Sequence, residues 1–195
     1  ALVVFTGVMI YSMFQRAPLG QIANPITSPN PAKAAWYFLG LQEMLLHMHP
    51  LAALGLVALV VVALISVPWI DRDAKDIGVY FRSPVGRKAA LFGAVLGLNL
   101  TPLLVILDEY WIDLAGWMPG LPVLITTALI PFLGTTLFFG LVYYGLRRSQ
   151  LIKGQKTNHS EALLGVFTFA IVGLVVMTII GIYFRGANMA LVLFY

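Results

Sequence analysis

The sequence holds no cysteine and little charge. Among its 195 residues only 10% are Asp, Glu, Lys or Arg. The missing thiols exclude disulfides, thiolate metal sites, Fe–S ligation by this chain and covalent haem attachment. A redox centre held by the chain itself would have to use His47, His49 or His159. So low a charge content excludes an ordinary soluble domain, in which about a quarter of the residues are charged. Acids are scarcer than bases, and Glu43 is the only one between Ala1 and Ile70.

Apolar residues fill the space the charges leave. The chain is 60% hydrophobic, with a mean hydropathy of +0.91. Uncharged runs cover residues 51–70, 89–107, 121–146 and 162–184, the third interrupted by Pro122 and Pro131. In lipid the backbone must satisfy its own hydrogen bonds, so these runs predict helices, with the prolines as kinks. A further apolar run, 1–14, is short of the ~20 residues a span needs. That shortness, with no Met at position 1, is read as processing or a missing upstream piece. The expected fold is all-α and transmembrane, with about five spans.

In such a chain the net charge of +4 reports topology rather than nucleic-acid binding. Segments 71–88 and 147–160 hold nine of the twelve Lys and Arg, whereas 108–120 has three acids and no base. Basic loops stay cytoplasmic. This puts 71–88 and 147–160 on the cytoplasmic side, and 15–50, 108–120 and the C-terminus on the outer side. Trp36, Tyr110, Trp111 and Trp117 then fall on the outer side, as an aromatic belt does.

The outer segment 15–50 is the most informative. Residues 18–31 carry four prolines, which impose an irregular path. The stretch from Ala34 to about His49 predicts a short interfacial helix. Trp36, Gly40, Glu43 and His47 recur there on one helical face. Burial would raise the pKa of Glu43 and suit it to accept a proton, with His47 as a weaker candidate for the same work. The plainer alternatives are that Glu43 sits in water, or pairs with Lys33 or Arg16. His47 and His49, two positions apart, cannot clamp a haem, and no metal site is expected.

The stretch NPITSPNPAKAAWYFLGLQEML, followed by VPWID and RSPVGRK, resembles the C-terminal domain of cytochrome b and subunit IV of cytochrome b6f-type complexes. The resemblance covers roughly residues 1–107, with the quinol-site loop at 15–50. Residues 108–195 add two transmembrane helices and an outer tail, and YFRGANMALVL is similar to the longer bacterial forms. It implies the quinol-oxidation-site subunit of a quinol oxidoreductase, without a complete active site of its own. Electrons would pass to a Rieske Fe–S protein and a b haem on partner subunits, with protons released outside. The implied partners are a b6-like haem subunit, the Rieske protein, a c-type cytochrome and a dimeric assembly. No cofactor is bound through this chain's own ligands, and the substrate is a quinol, with menaquinol a candidate. Pro31, Ala35, Trp36, Tyr37 and Phe38 are the quinol-contacting residues so implied. One departure matters. The family's Pro-Glu-Trp-Tyr reads Ala34-Ala35-Trp36-Tyr37, so the proton-accepting glutamate falls on Ala35, and Glu43 becomes its candidate replacement.

Two other readings compete. A non-catalytic membrane anchor in another respiratory complex would tolerate the lost glutamate. A small transporter would place paired charges within its spans, and the four later apolar runs have none.

Overall fold

Pro50 divides two helices at one end of the bundle. The residue before a proline is driven out of the helical region, and proline itself suits a first helical turn. One helix accordingly stops at His47, Met48 is extended, and the next helix starts at Pro50. In the computed structural model the described residues are 2–14, 22, 25–26, 29–70 and 83–192. They divide into one unit within residues 1–30 and a second within 31–195. The first unit contains α1 (Leu2–Phe14), apolar and exposed along its length.

The second unit opens with a 3₁₀ turn, Trp36–Phe38, and continues through α2 (Leu39–His47), α3 (Pro50–Ile70), α4 (Pro84–Tyr110) and α5 (Leu114–Trp117). A π-helical turn (Ile125–Leu129) leads directly into α6 (Ile130–Arg148), followed by α7 (His159–Tyr183) and a 3₁₀ turn, Ala187–Met189. Among the described residues α3, the π turn with α6, α4 and α7 make four helices long and apolar enough to cross a membrane. The expected five is approximate: α1 is apolar, but its 13 described residues are fewer than a crossing needs. The helix expected from Ala34 is also shorter than predicted, since its first turn is 3₁₀ and lacks a side-chain cap.

The main packing seam joins α4 to α7. Ala89, Gly93, Gly97, Thr101 and Val105 are buried at four-residue intervals along α4. Small residues let helix backbones meet where lipid supplies no hydrophobic drive for association. A Cβ on Gly93 would collide with the Gly165 carbonyl, and one on Gly97 would lie 3.1 Å from the Phe169 carbonyl. At the far end Ser83 caps α4 and its hydroxyl donates to Glu161, while Asn158 and Glu161 form the capping box of α7. Those bonds fix the helix register from the end opposite α2.

The π turn has an identifiable cause. Pro131 has no N–H, so the carbonyl of Thr127 loses its usual helical donor. That carbonyl instead accepts from the backbone N–H of His49 at 2.9 Å. A defect in one helix thereby ties down the connection between α2 and α3.

Candidate functional site: an arginine-centred ion cluster

One end of the second unit gathers α2, the end of α4 and the chain that follows α7. There the Glu43 side chain is fully buried and Arg185 is 1% exposed. The guanidinium grips the carboxylate: Arg185 Nε donates to both Glu43 oxygens at 3.0 Å, and NH2 donates to Oε1 at 2.5 Å. Its NH1 donates to Glu109 Oε2 and to the Met189 carbonyl, each at 2.8 Å. His47 lies one turn after Glu43. Its Nδ1 is 2.7 Å from Asp108 Oδ2, and its Nε2 is 3.2 Å from Glu43 Oε1. Both nitrogens therefore face carboxylates, which favours the doubly protonated imidazolium. The Arg185 NH2 group, 3.2 Å from His47 Nε2, is then a second cation on the same carboxylate oxygen.

Protonation follows from these contacts. Burial opposes the charge on Glu43, but hydrogen bonds from His47 and Arg185 outweigh it and hold the carboxyl below its ordinary range. Burial likewise opposes the charge on His47, yet Asp108 and Glu43 raise its pKa to about 9. Arg185 is pushed up against burial by Glu43 and Glu109. The expected rise in the Glu43 pKa is thus reversed, because desolvation was weighed without the two cations. A group whose folded pKa is raised stabilises the fold fully below its unfolded value and loses that contribution as pH climbs through the folded value. Melting of the detergent-solubilised protein should therefore show His47's contribution intact below pH 6.5 and disappearing towards about pH 9. A His47→Gln variant should lose that sloping part, and a parallel slope in wild type and variant would refute the assignment.

The other sequence candidates are placed less centrally. Trp36, Tyr37 and Phe38 are 70%, 64% and 55% exposed, and their rings meet in order, the first pair edge-to-face and the second tilted, with centroids 5.6 and 4.8 Å apart. Ala35 is exposed and Pro31 half-buried. Trp36 lies in the 3₁₀ turn and is exposed, so the expected common face reduces to Gly40, Glu43 and His47, turned inward. Lys33 does not meet Glu43; its Nζ donates to the Ile182 carbonyl at 2.8 Å. Arg16, the other proposed partner, lies outside the described residues, as do 71–82 of the basic segment. His49 Nδ1 accepts from the Leu51 N–H, and Nδ1 of His159, at the opposite end, is 2.5 Å from Tyr143 Oη. Among the described residues no group of three His, Asp or Glu is placed to hold a metal ion.

Sequence reasoning passed over Arg185, Glu109 and Asp108 as site residues. The available signal was that Arg185 is the sole cation after Lys156, immediately beyond an apolar helix. An ionisable group at such a place calls for a named partner.

The fold and its site define a helical membrane-spanning protein with an ion cluster at one end and aromatic rings exposed beside it. Within it, residues 22–109 match the family described as cytochrome b (C-terminal)/b6/petD. That stretch is similar to the family's domain. No curated protein and no solved structure matches the chain significantly.

Proposed function

We propose that the chain is the quinol-oxidation-site subunit of a cytochrome bc/b6f-type complex. The observation that carries this reading is the exposed Trp36-Tyr37-Phe38 turn inside the family-matched segment. It offers exposed aromatic faces and edges, with a phenol for hydrogen bonding, to a planar lipid-soluble ring. The haem b and Rieske centres belong to partner subunits, which take the two electrons.

The charge distribution supports the orientation. The end with Ser83 and His159 carries Arg87, Lys88, Arg147, Arg148, Lys153 and Lys156 against Glu161. The end with α2 carries Glu43, Asp108, Glu109 and Asp113 against Lys33 and Arg185. By the positive-inside rule the aromatic turn faces outward, where the quinol protons are released. Glu43, ionised and gripped by Arg185, is a poor proton acceptor, and its geometry supports the role of an anchor for the loop.

A second reading, the non-catalytic anchor subunit, draws on Ala35 standing where the family's glutamate belongs. One experiment separates the two. The complex is purified in mild detergent through a tag on this chain, and its difference spectrum is recorded with a short-chain quinol as reductant. A b-haem signal that quinol reduces and a quinol-site inhibitor abolishes is the expected result. An intact complex without quinol-reducible haem would install the anchor reading.

A further inference from the structure

The loop bearing the aromatic turn is held by a part of the chain beyond the family-matched segment. Gly40 of α2 lies so close to α7 that a Cβ there would stand 2.8 Å from the Leu174 carbonyl and 2.6 Å from Thr178 Oγ1. Gly181 receives Leu39 in the same way, its notional Cβ 3.3 Å from that of Leu39. Lys33 reaches the Ile182 carbonyl, and Gln42 holds Ala34 N–H and Ala32 C=O at 2.7 and 2.8 Å. The last contact is the grip of Arg185 on Glu43.

The chain after α7 is folded to serve that grip. It turns back on itself through bonds from Val192 N to Phe184 O and from Gly186 N to Ala190 O, at 2.8 and 3.0 Å. Asn188 and Met189 both adopt left-handed backbone conformations, with φ of 56° and 60°. Such conformations are uncommon for a residue like methionine and persist where surrounding structure imposes them. Here the reversal delivers the Met189 carbonyl to Arg185, and Leu191 N–H to Glu109 at 3.4 Å. Leu191 is buried against Val105, Val176 and Ile180.

We propose that Arg185 is a positioning residue for the aromatic turn: through Glu43 it fixes α2 on α7, which makes the hook at 184–192 a structural part of the quinol site. The proposal deepens the quinol reading and rests on it for its kinetic consequence, while the clamp itself is testable without turnover. A cysteine-free chain accepts a single spin label, placed at Ala34→Cys beside the turn. The complex is prepared with Arg185→Gln, Arg185→Lys and the double variant Glu43→Gln/Arg185→Gln. The double variant leaves no buried unpaired charge from this pair, so it keeps the test open if the single Gln variant fails to assemble.

In the double variant the label should become more mobile, and the apparent KM for a short-chain quinol should rise at least fivefold with kcat changed less than twofold. Arg185→Lys should recover part of both. A double variant with wild-type line shape and wild-type KM would overturn the proposal, since Arg185 would then serve only to neutralise a buried charge. A wild-type complex that oxidises neither a ubiquinol nor a menaquinol analogue would end the quinol reading, while the line shapes still decide the clamp.

Discussion

Glu43→Ala should cost the folded subunit about 3–5 kcal/mol, because it strips a buried cation of its principal partner. Arg185 remains 1% exposed, with three of its hydrogen bonds directed at an oxygen pair that no longer exists. Glu109 cannot take its place, being bound to a different guanidinium nitrogen. His47 loses one of its two carboxylates at the same time. The midpoint of thermal unfolding in detergent should fall by on the order of 10 °C. Glu43→Gln should fall less, since an amide oxygen still accepts. Equal melting of Glu43→Ala and wild type would show that the ion cluster contributes nothing to the fold.

Gly93→Ala should be nearly as damaging despite adding a single methyl group. That methyl would lie on the Gly165 carbonyl, and backbone cannot step aside as a side chain does. Overpacking costs about 1–3 kcal/mol where neighbours can adjust, and α4 and α7 would have to separate along their length. Gly134→Ala is the matched control, because a Cβ there meets nothing within 4 Å. It should be neutral or slightly stabilising, alanine being the better helix former. Recovery of monodisperse subunit after solubilisation checks the pair: Gly93→Ala should aggregate or fail to assemble where Gly134→Ala behaves as wild type. Identical behaviour of the two would mean that α4 and α7 do not approach as closely as Gly93 and Gly165 imply.

Run length and composition made the membrane helices legible, and the apolar runs from 51 onward each coincide with one. The π turn was not legible, although Pro131 announces a broken helix, because the new donor for Thr127 is His49, 78 positions away. Glu43 stood out as a lone acid. Its partner did not, because helical spacing connects residues three or four apart, and Arg185 is 142 positions distant. The error about protonation has the same root. Desolvation can be guessed from neighbours in sequence, but a compensating charge supplied by tertiary contact cannot. The Gly-lined seam was equally visible as small residues and equally silent about which helix it would meet.

The separation between Glu43 and Arg185 also sets an order of events during biogenesis. The acid leaves the ribosome long before the arginine, and four apolar helices must be handed to the membrane in between. Until α7 is in place, the carboxylate has His47 and water as its partners, and α2 has no surface on which to settle. The stretch around residue 185 therefore completes the packing of α2, and a chain cut before it leaves Glu43 without its guanidinium partner. Such a product would present a loosely held helix to proteases and quality-control factors.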